Sequence, residues 1–232
     1  MKVLIVIGAS KGIGRATALA LADSGSHLVL AARDGVALEQ VAAEVRARGA
    51  EATAVPCDAT AEPHVRRLID TAAGVSGRID VLVNSAGGAV VAPLEELTLA
   101  DWEQSLRVGL TSVFLTCKHA ARHMPQGGLI VNVASVAARQ HHRHADAARA
   151  QLLADRAREA QQPVLRGDVG RPGWERLPAA TDTALWDALP GEWNRANMLR
   201  PEDVGRAIAQ LAAQPAYMAT EEIVVGHVAG RL

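Results

Sequence analysis

Residues 2–21 read KVLIVIGASKGIGRATALAL, an apolar run that breaks into glycine at Gly8, Gly12 and Gly14 and then resumes with helical spacing. A short Val/Ile-rich run closed by a glycine turn predicts a buried strand, and the periodic stretch after it predicts a helix. Glycine at this junction lets the backbone approach a bulky anion such as a pyrophosphate, whose charge the amides and dipole of the helix start then stabilise. The spacing is Gly-x-x-x-Gly-x-Gly, not the commoner Gly-x-Gly-x-x-Gly, and the lysine-hydroxyl ending of a P-loop is absent.

The same rhythm runs outward from this stretch. Strands are predicted over HLVLAA (27–32), EATAVP (51–56), IDVLVN (79–84) and LIVNV (129–133), alternating with helical patterns over GVALEQVAAEVRARG (35–49) and PHVRRLIDTAA (63–73). A longer helix opens at Thr98, where Thr98-x-x-Asp101 makes a loose capping box. Pro201, followed by Glu202 and Asp203, starts a last helix, because proline suits its first turn and acids its positive end. EEIVV (221–225) supplies a last strand. Alternation of this kind predicts the α/β class, a Rossmann-type doubly wound parallel sheet with right-handed crossovers, in one domain over residues 1–232.

Composition narrows the partners. The chain has 232 residues, 49% hydrophobic and 21% charged, with a formal net charge of -1, enough apolar material for a full core and no global attraction to nucleic acid or anionic lipid. No apolar run reaches the roughly 18 residues that span a bilayer, and MKVLIVIGAS turns to glycine too soon for a signal peptide, so a soluble, cytoplasmic protein is expected. Aromatics make up 3%, which leaves the core to Val, Leu, Ile and Ala. Cys57 and Cys117 show no metal or disulfide spacing and read as ordinary thiols.

The glycine turn, with its three-residue gap, resembles that of the short-chain dehydrogenase/reductase family, and companion motifs follow in order. CDAT (57–60) is similar to the segment that contacts adenine, with Asp58 the implied hydrogen-bond acceptor. NSAG (84–87) resembles the family's Asn-Asn-Ala-Gly, with Ser85 in place of the second Asn. IVNVAS (130–135) resembles the fifth strand, which ends on a catalytic serine, here Ser135, and PAATDT (178–183) is similar to the turn whose threonine, here Thr183, touches the nicotinamide amide. LRPEDVGRAI with EEIVV closes the chain as in many members. The resemblance implies an oxidoreductase that reduces a small or hydrophobic carbonyl, or oxidises the alcohol, as a homodimer or homotetramer. It implies a nicotinamide cofactor held by Gly8, Ser10, Lys11, Gly12, Ile13, Gly14, Arg33, Asp58, Asn84, Ala86, Gly87 and Thr183.

Charge bears on which cofactor. An acid at the end of the second strand binds the ribose hydroxyls in NAD-using members, but HLVLAARD has Ala32 there and Arg33 next. Arginine suits a 2′-phosphate, which it can bind bidentately, and Lys11 adds a second cation, so NADP(H) is expected. Asp34 argues the other way, since an acid about 20 residues past the glycines is the NAD signal.

The catalytic positions depart from the family. The resemblance places its asparagine at Gly109 and its tyrosine and lysine at Ala148 and Leu152, so three of the usual groups are missing and only Ser135 remains. Residues 139–177 are rich in Arg, His, Gln and Ala, and Pro172 and Gly173 argue against the central strand due near VGRPGWERL (169–177). Two explanations stand: a diverged nucleotide binder with impaired catalysis, or out-of-frame translation between in-frame flanks. His144 or Arg149 as a substitute acid competes with a solvated loop, and His141, His142 and His144 lack the partners of a metal site, so no metal is expected. Trp186, Trp193 and Met198 fall where the family has its substrate lid, and fit either a hydrophobic substrate or lid packing. Tyr217, the one tyrosine, reads as a surface or interface residue.

Overall fold

The structure is a computed structural model that describes residues 1–88, 94–124, 128–135, 174–178, 180–188, 194–215, 217–218, 220 and 222–228. Strands β1 (Lys2–Ile7), β2 (Ser26–Ala32), β3 (Glu51–Pro56), β4 (Val81–Asn84), β5 (Leu129–Val133), β6 (Trp174–Pro178) and β7 (Glu222–Val225) form one parallel sheet in the order β3-β2-β1-β4-β5-β6-β7. Helices α1 (Gly12–Leu21), α2 (Gly35–Ala47) and α3 (Glu62–Ser76) connect the first strands. The long helix runs as α4 (Leu99–Leu106), a π-helical turn over Arg107–Thr111, and α5 (Ser112–Ala120); α6 is Pro201–Ala212.

The strand pattern explains the layers. Alternate residues of β1 point to opposite faces, and both faces are covered, which is why the strand is apolar throughout. Leu4 and Val6 pack with Leu38 and Val41 of α2 and with Val204, Ile208 and Leu211 of α6. Val3, Ile5 and Ile7 pack with Val65, Leu68 and Ile69 of α3 and with Val113, Leu115 and Ala120 of α5. Each fully buried Leu or Ile contributes about 1.5–3 kcal/mol. At Gly205 a β-carbon would lie 2.7 Å from the Ala16 carbonyl oxygen, so α6 meets α1 backbone to backbone.

The capping box at Thr98 is present, with the Asp101 amide donating to the Thr98 hydroxyl at 3.1 Å and the Thr98 amide donating to the Asp101 carboxylate at 3.1 Å. The expectation of no strand near 169–177 is corrected: β6 lies between β5 and β7, with Asn132 opposite Glu175 and Leu177 opposite Val224. The strand begins at Trp174, and a parallel ladder is made by backbone groups whatever the side chains. Pro172, Gly173, His141, His142, His144, Ala148, Arg149, Leu152 and Trp193 lie outside the described residues.

Candidate nucleotide site at the sheet switch point

The chain runs outward from β1 through β2 to β3 and then returns to β4 on the other side of β1. That reversal opens a crevice beyond the carboxyl ends of β1 and β4, the place where open α/β sheets bind ligands. Gly8, at the end of β1, has φ +79°, and a β-carbon on it would lie 2.8 Å from the Ala86 nitrogen and 2.9 Å from the Ser85 carbonyl carbon. Any larger residue at position 8 would collide with the segment after β4. At Gly14 a β-carbon would lie 2.1 Å from the Gly8 carbonyl oxygen, so the first turn of α1 presses on the loop before it.

Gly12, at φ +55°, would place a β-carbon 3.3 Å from the Thr183 methyl group, so the turn predicted to touch the nicotinamide stands against the glycine loop, 171 positions away in sequence. That turn has its own framework. The Trp186 indole N–H donates to the Thr181 carbonyl at 2.8 Å, Thr181 bridges to Leu199, and Arg195 pairs with Asp182 at 2.8 Å and with Asp187. Met198 is buried and Trp186 half-buried.

Helix α1 opens at Lys11 without a side-chain cap and with no acid in its first turn, so its leading amides and positive dipole end are offered to an anion. Lys11 and Arg33 are both exposed, and among the described residues neither side chain makes a hydrogen bond or ion pair. Asp34 is spent on α2: its carboxylate accepts the backbone N–H groups of Val36 at 3.1 Å and Ala37 at 3.0 Å as the helix cap. The acid that argued for NAD therefore has a local structural task.

Asp58 sits just past β3, where its Oδ1 accepts the Thr60 amide at 2.9 Å and the Thr60 hydroxyl at 2.8 Å. Those bonds, the backbone one first, hold its carboxyl below the usual range, with Arg33 among the further causes. Beside it, burial and then the Asp58 charge push the Cys57 thiol up to about 11, which leaves it inert at neutral pH.

Asn84 faces inward. Its amide N–H donates to Asn132 Oδ1 at 2.9 Å, and its oxygen accepts the Thr116 hydroxyl at 2.8 Å, with the Cys117 sulfur 3.6 Å from the same nitrogen. Its side chain thus ties β4 to β5 and α5, and what it brings to the crevice is the placement of Ser85, Ala86 and Gly87. Polar residues inside VLVN and LIVNV were the signal for this network, because buried amides need partners. Burial pushes the Cys117 thiol up to about 12.

Two residues beyond β5, Ser135 is half-buried on the same side of the sheet. Gly109 is buried inside the π-helical turn. Such turns widen a helix by one residue and are frequent at functional sites. Ser10 and Gly87 also lie on the loops that edge the crevice, and Ile13 is in the first turn of α1.

The family pattern of short chain dehydrogenases matches residues 2–147. The chain belongs to that family.

As a short-chain dehydrogenase it is 37% identical over 234 residues to cis-4-hydroxycyclohexanecarboxylate dehydrogenase of Sinomonas cyclohexanicum, across 93% of this chain and 90% of that protein. It is 40% identical over 139 residues to D-threitol dehydrogenase of Mycolicibacterium smegmatis, a match that covers 59% of this chain and spans about half, 54%, of that relative. In three dimensions it is similar to an alcohol dehydrogenase from the archaeon Thermococcus sibiricus complexed with 5-hydroxy-NADP. That likeness has a TM-score of 0.89 and 28% identity, over 100% of this chain and 99% of that one. The neighbour confirms the predicted fold class, a Rossmann-like parallel sheet flanked by helices.

Among the described residues no helix is long and apolar enough to cross a membrane, and no cluster of His, Cys, Asp and Glu could hold a metal. Tyr217 is 88% exposed.

Proposed function

We propose that this short-chain dehydrogenase is an NADP(H)-dependent oxidoreductase that interconverts a carbonyl and an alcohol on a small or hydrophobic substrate. The observation that carries the cofactor choice is the division of labour between two adjacent residues: Arg33 stands exposed at the end of β2, while Asp34 is taken up by the α2 cap. The neighbour crystallised with an NADP derivative supports the same choice.

The residues present fit such a group. Positive φ at Gly8 and Gly12 and the absence of side chains at Gly8, Gly12 and Gly14 keep the cradle open, and any β-carbon at Gly8 or Gly14 would close it. Ser10, Lys11, Gly12, Ile13 and Gly14 would hold the pyrophosphate, Lys11 and Arg33 the 2′-phosphate, and Asp58 the adenine amino group. Ala86 and Gly87 would line the ribose side, placed by Asn84, and Thr183 would hold the nicotinamide amide.

Bound NADPH supplies the hydride that reduces the carbonyl carbon. Ser135 would donate a hydrogen bond to the carbonyl oxygen and orient it. Gly109 offers no side chain, and Ala148 and Leu152 offer neither acid nor cation, so proton delivery to that oxygen lacks the family's usual donor. A second reading follows from the buried Gly109: an NADP(H)-binding protein with impaired catalysis, acting by binding or interaction. Assembly as a homodimer or homotetramer belongs to the first reading, with Phe114, 41% exposed on α5, as an apolar contact.

The two readings separate on turnover. NADPH oxidation against a panel of ketones and 3-oxoacyl thioesters is expected at well below the usual enzymatic rate of about 10 s⁻¹, because a positioned general acid supplies about 10² to 10⁴ in rate. Zero turnover with tight NADPH binding leaves the binding reading alone, and no NADPH binding overturns both.

A further inference from the structure

Helix α3 begins four residues past Asp58, and its first residue, Glu62, is tied to a helix remote in sequence. Glu62 Oε1 accepts from His119 Nε2 at 2.7 Å and from Lys118 Nζ at 2.9 Å. His119 is 2% exposed, and its other ring nitrogen, Nδ1, lies 2.7 Å from an Arg122 guanidinium nitrogen. A guanidinium can only donate, so Nδ1 accepts and the ring proton sits on Nε2, aimed at Glu62. The tautomer is thus set by the neighbours, and the bond to Glu62 is charge-assisted.

The same helix, α5, carries Thr116 and Cys117, which engage Asn84 at the end of β4. Consecutive residues on one helix therefore reach two places at the crevice: Thr116 and Cys117 engage the end of β4, and Lys118 and His119 the first residue of α3, directly after the β3 loop. Within that loop the Asp58 amide donates to His64 Nδ1 at 3.3 Å, and Thr60 occupies Asp58 Oδ1. Among the described residues Asp58 Oδ2 makes no hydrogen bond, which leaves one oxygen for a ligand's amino group.

We propose that His119 is a positioning residue for the adenylate half of the cofactor: through Glu62 it fixes the Cys57–Ala61 loop so that Asp58 meets the adenine. The inference rests on the nucleotide reading above and adds to it a residue that touches no ligand.

Titration calorimetry with NADPH and with 2′,5′-ADP, the adenylate half alone, tests this on wild type, His119→Ala, His119→Gln and Glu62→Ala. His119→Ala and Glu62→Ala are expected to weaken both ligands by about tenfold and by the same factor, the scale of residues that act through a coupled contact. His119→Gln, whose amide nitrogen can still donate to Glu62, is expected to restore most of the affinity. Glu62 is 37% exposed, so its alanine variant tests the tie even if a cavity at His119 prevents folding. Unchanged affinity in folded Glu62→Ala, no rescue by glutamine, or a larger loss on NADPH than on 2′,5′-ADP would each overturn the positioning role. Wild-type protein that binds neither ligand overturns the nucleotide reading and this role together, whereas wild-type binding with indifferent variants overturns this role alone.

Discussion

Gly8 and Ala86 stand in backbone contact across the switch point of the sheet, where a β-carbon on Gly8 would lie 2.8 Å from the Ala86 nitrogen. Gly8→Ala must strain a φ of +79°, push the β4 loop away, or both. The left-handed region alone costs a non-glycine residue about 1–2 kcal/mol, and backbone atoms cannot yield cheaply. The variant is expected to lose at least about 2 kcal/mol of stability and most nucleotide affinity, read by chemical denaturation and calorimetry. A Gly8→Ala protein of wild-type stability and affinity would show that the two loops do not touch.

The Asn84 network predicts a stability effect with little bearing on the cofactor's charge preference. Asn84→Leu leaves Asn132 Oδ1 without its buried partner, while the Thr116 hydroxyl keeps the Ser112 and Val113 carbonyls. An unsatisfied buried group costs about 1–3 kcal/mol. Thermal unfolding should shift down by several degrees, and the double variant Asn84→Leu with Asn132→Leu should lose less than the sum of the two, as contacting residues do.

Much of this was legible in the sequence because the strands are apolar on both faces. KVLIVI, EATAVP and LIVNV coincide with β1, β3 and β5, and the Thr98 capping box is where its spacing put it. Strand β6 was not legible, since WERLP carries no apolar run and its pairing is visible only once β5 and β7 flank it. By its distance from the glycines Asp34 argues for NAD against Arg33, although Asp-Gly-Val-Ala at a helix start is also a cap, which the structure shows it to be. The Glu62–His119 tie spans 57 residues and joins two helices through space, so no local pattern announces it.

Stability against pH should form a plateau with two defined edges. Hydrogen bonds from Lys118 and then His119 bring the Glu62 carboxyl from its ordinary 4.5 to about 2. A folded-state value below the unfolded one stabilises above the unfolded pKa, so this contribution is lost as pH falls from about 4.5 toward 2. Cys57 and Cys117 are shifted the other way, from 9.0 to about 11 and about 12, chiefly by burial. Their unfolded forms lose protons first, so stability present below pH 9 falls as pH rises through 11 and 12. Denaturation midpoints measured across pH check both edges, and Glu62→Gln should flatten the acid one.

The gene tests the frame account of residues 139–177. If that stretch is translated out of frame, a shifted reading of its codons is expected to place Tyr-x-x-x-Lys at 148–152 and an apolar strand ending at Pro178. Absence of that motif from both alternative frames leaves divergence as the explanation.

The proposed cofactor choice rests on exposed Arg33 and Lys11 while Asp34 caps α2. Calorimetric titration of the wild-type protein with NADPH and NADH at one ionic strength measures it directly. The expected result is at least about tenfold tighter binding of NADPH, or about 1.4 kcal/mol, with Arg33→Ala erasing most of the difference. Equal affinities for the two nucleotides, or an Arg33→Ala protein that keeps its preference, would contradict it.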